Sequence, residues 1–157
     1  MFEIISGSMY AAAELFRDKT GFPLDESGSE DSRPGLPKVL VVDDEKLIAD
    51  TLKEILEMAG FHVVAAYDGW GAIDAATQFQ PDCLLSDVLM PGMNGVELAI
   101  AMRKMFPATR ILLFSGQAGI SDIVTEGSRQ GYEFELLAKP IHPAKLIEHL
   151  KNQSALL

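Results

Sequence analysis

From Lys38 onward the spacing of hydrophobic and polar positions changes repeatedly, and each change marks an element. Val39-Leu40-Val41-Val42 is a β-branched apolar run that stops at Asp43-Asp44-Glu45; Ile48, Leu52, Ile55, Leu56 and Ala59 then recur at helical spacing until Gly60. Short apolar runs bounded by turn formers read as buried strands of a parallel sheet, and three-to-four spacing reads as a helix with one inward face. The same alternation predicts a second strand from about Phe61 to Tyr67, then a small-residue helix after Asp68-Gly69 with Ile73, Ala76 and Phe79 inward, stopped by Pro81. A third strand, about Cys83 to Ser86, leads into Asp87 and the loop Met90-Pro91-Gly92-Met93-Asn94-Gly95, and the helix from Asn94 to about Phe106 turns Val96, Ile100 and Met105 inward. Arg110 to Phe114 predicts a fourth strand ending at Ser115-Gly116, with a weakly helical segment from about Ser121 to Gln130. Phe134 to Leu137 predicts a fifth strand ending at Ala138-Lys139-Pro140. Pro143, suited to a first turn, opens a last helix to about Asn152 with Leu146, Ile147 and Leu150 inward.

Alternating strands and helices predict an α/β fold: a doubly wound, five-stranded parallel sheet with helices on both faces and right-handed crossovers. Residues 1–37 break the pattern. Met9, Ala12, Ala13 and Phe16 share one face of a short helix over 9–17, and Asp25 to Gly35 has the composition of a flexible acidic linker. The predicted organisation is therefore an N-terminal extension, 1–37, and one domain, 38–157. The last predicted helix stops close to residue 157, so no DNA-binding output domain is expected.

Composition narrows the partners. The chain has 157 residues, 23 acidic and 13 basic, for a formal net charge of -10. With no basic cluster, this balance disfavours nucleic acid and anionic membrane and suits a cation or a basic partner. The single Cys83 lies in an apolar run, which excludes an internal disulfide and points to a reducing compartment; no apolar stretch is long enough to span a membrane, and Met1-Phe2-Glu3 lacks the charge of a secretion signal, so the cytoplasm is expected.

Open parallel sheets carry their chemistry just beyond the carboxyl ends of the strands. Here those ends are Asp43-Asp44, Asp87, Ser115 and Lys139. Singly each has an ordinary reading: the first two acids as helix caps, the serine as a turn residue, the lysine as a solvated charge. Together they would crowd three carboxylates, and a hard, oxygen-preferring cation such as Mg2+ relieves that repulsion. Asp87 could then attack a phosphorus whose oxygens are shared among Mg2+, Lys139 and Ser115. No P-loop, zinc-type His/Cys cluster or Ser/His/Asp constellation stands at recognisable spacing.

Val41-Val42-Asp43-Asp44-Glu45, Asp87-Val88-Leu89-Met90-Pro91-Gly92-Met93-Asn94-Gly95-Val96-Glu97-Leu98, Ser115-Gly116 and Lys139-Pro140, in order and spacing, resemble the receiver domain of two-component response regulators over about residues 38–152. The resemblance implies a flavodoxin-like fold with strand order 2-1-3-4-5; with the chain ending soon after its last predicted helix, a stand-alone module signalling through a downstream protein partner is expected. It implies that Asp87 accepts phosphoryl from a sensor histidine kinase or histidine phosphotransfer protein. It also implies that Asp44, Asp87 and the Leu89 carbonyl ligate Mg2+, with Asp43 acting mainly through metal-bound water, and that Lys139 and Ser115 bind phosphoryl oxygens. A cis Lys139–Pro140 peptide is implied as well.

The pattern thins in three places. Ser115 stands where relatives often have Thr, and Leu136 where they often have an aromatic residue. Gly116, Gly119, Gly127 and Gly131 weaken the fourth crossover, since an interior glycine costs about 1 kcal/mol against alanine. That segment is expected to be mobile and, with the fifth strand and last helix, to form the output face. Two rival readings follow: an interaction module indifferent to phosphate, and a Mg2+-dependent phosphatase or phosphotransferase. The latter commonly needs a second Asp two residues after the nucleophile, where this chain has Leu89. His62, His142 and His149 read as surface or edge packing, and Met90, Met93, Met102 and Met105 as loop and helix packing. Trp70, beside Gly71, is a candidate partner contact.

Overall fold

The computed structural model describes residues 36–116 and 120–154. The expected helix over 9–17, its linker and Gly119 lie outside the described residues. The elements alternate without exception: β1 (Lys38–Val42), α1 (Lys46–Met58), β2 (His62–Ala66), α2 (Gly69–Phe79), β3 (Cys83–Asp87), α3 (Gly95–Met105), β4 (Arg110–Ser115), α4 (Ile120–Arg129), β5 (Glu135–Ala138) and α5 (Pro143–Ser154). All strand pairs are parallel, in the order β2-β1-β3-β4-β5. This is the flavodoxin-like, doubly wound order.

The period-two alternation of side chains divides each central strand between two apolar layers. Val39, Val41, Leu85, Leu112 and Phe114 face α1 and α5, where Leu52, Ile55, Leu56, Leu146, Ile147 and Leu150 meet them. Leu40, Val42, Leu84 and Leu113 face α2 and α3, against Ala72, Ala76, Leu98, Ala99 and Met102, while Ile123 and Val124 of α4 are partly buried against the same layer. Because both faces are covered, β1, β3 and β4 carry consecutive apolar residues (Val39–Val42, Cys83–Leu85 and Ile111–Phe114) rather than alternating ones, with polar residues confined to the strand ends.

Three local readings are revised. Met105 is 48% exposed rather than inward. It lies nine residues beyond the buried Val96, and at about 100° per residue this turns it to the opposite side of α3; Ala99 and Met102 hold the inward positions. The α2 helix stops at Gln80, which is left-handed at φ 51 and donates its amide to the Ala76 carbonyl at 2.8 Å, one residue before Pro81. Gly127 has a packing role: a Cβ there would lie 2.9 Å from Val96 Cγ1, so its bare backbone lets α4 close onto α3.

At the amino-terminal edge, His62 packs edge-on to Phe79 with ring centroids 4.9 Å apart. His149 Nε2 of α5 lies against Glu135 Oε1, and Arg110 reaches Glu135 Oε2 at 3.2 Å, so a polar tie joins α5 to β5 and β4.

Candidate functional site

Parallel register places the chemistry. Val42 is level with Ser86, Asp87 with Phe114, and Ser115 with Ala138, so the residues that follow or end these strands lie along one edge. The β1 ladder continues for one residue as Asp43 N–H donates to the Ala66 carbonyl at 3.2 Å, which draws Asp43 into the interior. Its Oδ1 accepts from Glu45 N–H at 2.9 Å. Glu45 is the N-cap of α1 and makes no side-chain cap. The capping reading thus holds only in part: Asp43 braces the turn, and Asp44 stands exposed beside it.

Asp87 closes β3. Beyond it Val88 N–H donates to the Phe114 carbonyl at 3.1 Å, and Gly95 N–H returns to the Val88 carbonyl at 2.8 Å. Gly95 admits no side chain, since a Cβ would fall 2.1 Å from the Asp87 carbonyl oxygen. Asn94 caps α3 by accepting from Glu97 N–H at 2.9 Å. The loop from Met90 to Gly95 is therefore bonded and packed onto the strand end, with Gly92 at φ 75 supplying the left-handed turn. Leu89 contributes a backbone N–H to the Asp87 carboxylate, and its side chain is 38% exposed.

One carboxylate oxygen from each of Asp43, Asp44 and Asp87 lies within 4.8 Å of the others. Lys139 Nζ stands 3.2 Å from Asp87 Oδ2 and 5.1 Å from the centre of the Phe114 ring. Its backbone N–H donates to the Ser115 carbonyl at 2.8 Å, and the peptide to Pro140 is cis. Gly116 leaves room for the lysine stem: an added Cβ would sit 3.0 Å from Lys139 Cβ. Ser115 is half-buried at the end of β4. All the residues picked out at strand ends therefore fall on the same edge.

Burial lifts the Asp43 carboxyl from its usual 3.8 to about 6, outweighing the Glu45 amide; the Asp87 charge adds to the rise, and Lys139 opposes it. Asp87 is raised too, chiefly by burial, against the attraction and hydrogen bond of Lys139. Asp43 Oδ2 is buried with no hydrogen-bond partner. A buried carboxylate oxygen without a donor is costly, and a hard cation among three carboxylates is the partner that such an oxygen lacks. The donor set fits Mg2+. In the sequence Gly116 reads as a residue that weakens the fourth crossover, and its place beside the Lys139 stem has no local signal.

An acidic trio with an ammonium beyond the carboxyl ends of a doubly wound sheet defines a signalling class as much as a fold. The response regulator receiver domain family matches residues 39–151, and the chain belongs to that family. It is the receiver domain of two-component response regulators. Among solved structures, the chemotaxis response regulator CheY4 of Vibrio cholerae is 33% identical at a TM-score of 0.63, covering 74% of this chain and 98% of that one. A receiver domain protein from Clostridium thermocellum is 28% identical at a TM-score of 0.66, over 77% and 98%. A CheY-like receiver from Methanospirillum hungatei is 27% identical at 0.67, over 75% and 93%.

Proposed function

We propose that this receiver accepts a phosphoryl group on Asp87 from the phosphohistidine of a sensor kinase or histidine phosphotransfer protein, with Mg2+, and passes the signal on through protein contacts. The observation that carries the proposal is Lys139 Nζ at 3.2 Å from an oxygen of the buried Asp87, beside two further carboxylates. Asp44, Asp87 and the Leu89 carbonyl would hold the cation, with Asp43 oriented toward it from behind. When bound, it supplies charge neutralisation that lets an anionic nucleophile approach an anionic phosphoryl group.

A carboxylate oxygen of Asp87 forms the new bond to phosphorus, the bond from phosphorus to the imidazole nitrogen breaks, and its electron pair stays with the imidazole. Little covalent work falls to the protein, so positioning and charge dominate. Lys139 fixes the carboxylate through one oxygen before transfer and follows the phosphoryl oxygens after it, while Ser115 offers its hydroxyl from the neighbouring strand end. The exposed Leu136, at 42%, leaves the aromatic relay of other receivers without an equivalent at that place. We assign output to α4, β5 and α5, and place the domain boundary at residue 38. Action in the cytoplasm belongs to the same proposal and suits the single buried thiol.

Labelling the full chain with acetyl phosphate and Mg2+, then repeating it with Asp87→Asn, tests the assignment. Loss of the acid-stable, base-labile label is expected; undiminished labelling refutes it. Hydrogen exchange with the phosphoryl mimic beryllofluoride tests the output face, which fails if α4 and β5 are unchanged.

A further inference from the structure

Trp70, the only tryptophan of the chain, stands in the first turn of α2 and is 72% exposed. A large aromatic surface left in water beside polar groups marks a contact site, because covering an indole releases more apolar area than covering almost any other side chain. It borders an open groove of about 540 Å³ lined by Asp68, Trp70, Gly71, Ile73, Asp74 and Thr77. Helical spacing puts Trp70, Ile73, Asp74 and Thr77 on one outward face. Ile73 is half-buried and offers an apolar floor. Gly71 leaves room for the Asp68 cap, since an added Cβ would lie 3.0 Å from Asp68 Oδ1.

Neither carboxylate of this face is held in an ion pair among the described residues. Asp68 Oδ1 caps the helix by accepting from Gly71 N–H at 2.6 Å. Asp74 makes no ion pair among the described residues. An indole face flanked by two carboxylates attracts a guanidinium or ammonium twice over, through the ring quadrupole and through the carboxylates.

We propose that this face of α2 docks a basic segment of another protein, with an Arg or Lys laid over Trp70 and paired to Asp74, and an adjoining apolar residue seated over Ile73. Charge selects this occupant. A second copy would bring the same acids and the same net charge of -10. Residues 1–35 carry seven acidic side chains against three basic ones, so the chain's own extension is repelled. Phosphate backbones and anionic lipid are disfavoured on the same ground. The contact does not depend on phosphoryl chemistry at Asp87.

Selecting a random dodecapeptide phage library against the full chain tests this, followed by fluorescence anisotropy of the recovered peptides. The expected peptides carry Lys or Arg beside an apolar residue and shift the Trp70 emission to the blue. Their affinity should fall about tenfold or more in Trp70→Ala, as for an aromatic anchor, and fall less in Trp70→Phe, which keeps a π face. Asp74→Asn and added salt should each weaken binding, and Met58→Ala, exposed at the end of α1, should not. With 72% of the side chain in water, Trp70→Ala should melt like the parent. Failure to enrich any peptide, recovery of acidic or neutral peptides, or equal binding to Trp70→Ala overturns the proposal. So does self-association in sedimentation that Trp70→Ala abolishes, which would assign the face to a second copy.

Discussion

Replacing Asp43 with Asn removes a charge that the fold carries at a cost. The buried carboxyl titrates at about 6 in the folded protein instead of 3.8. The difference of about 2 pH units, at about 1.4 kcal/mol each, makes the ionised group about 3 kcal/mol less favourable folded than unfolded. A raised folded pKa means that the native state holds its proton more tightly. The associated stability is complete below the unfolded value of 3.8 and is lost as pH rises through about 6. In EDTA, the parent should therefore melt higher at pH 5 than at pH 8. About half of this stability, roughly 1.4 kcal/mol, remains at pH 5 and is lost by pH 8, so at roughly 3–5 °C per kcal/mol for a domain of this size the melting temperature should fall by about 4–7 °C across that window. Asn cannot ionise, and its amide oxygen still accepts from Glu45 N–H, so Asp43→Asn should melt higher than the parent at pH 8 and vary less with pH. Asp87, also raised, leaves a residual slope of the same sign. Circular dichroism melts from pH 5 to pH 8 in EDTA, repeated with saturating Mg2+, make the comparison. Mg2+ should raise the parent most at pH 8, where the carboxylates are ionised. Equal pH slopes for parent and Asp43→Asn in EDTA would refute the reasoning.

Other consequences can be checked separately. Gly95→Ala forces a methyl to within 2.1 Å of the Asp87 carbonyl, so it should destabilise by several kcal/mol in urea melts and reduce acetyl phosphate labelling through displacement of Asp87. Asn94→Ala removes the α3 cap and should cost about 1 kcal/mol by denaturant titration, with labelling retained. Lys139→Ala should lower labelling by acetyl phosphate and raise the Asp87 carboxyl further, a shift readable by NMR titration, because the lysine opposes the effect of burial. Burial pushes the Cys83 thiol up to about 12, so a thiol reagent at pH 8 should modify it only at the rate of unfolding.

The two glycines under the site show where sequence legibility ends. That Asp87 follows an apolar run, and that a Pro/Gly/Asn/Gly loop follows it, is local information, and local sterics translate it into strand and turn. That Gly95 must be bare depends on how closely α3 approaches the end of β3, and Gly116 on the path of a lysine stem 23 positions further on. Neither distance is encoded in any short window. Met105 marks a different limit: its helical phase is calculable, but apolar character alone places it inward. The tie among Arg110, Glu135 and His149 joins three elements and has no sequence period.

By itself, the sequence determined the alternation of buried strands and one-faced helices, the doubly wound class, and the presence of acids, a hydroxyl and a lysine just past strand ends, because these follow from hydrophobic period and turn chemistry within a few residues. Tertiary structure decided which strands are neighbours and in what register. Parallel pairing brings Asp43, Asp87 and Lys139 together across a separation of up to 96 positions. It decided as well that Asp43 is buried with an unpartnered oxygen while Asp44 is exposed. Charge repulsion and desolvation depend on distance and on water access, and adjacent, chemically identical residues acquire different energies only once the chain has folded around one of them.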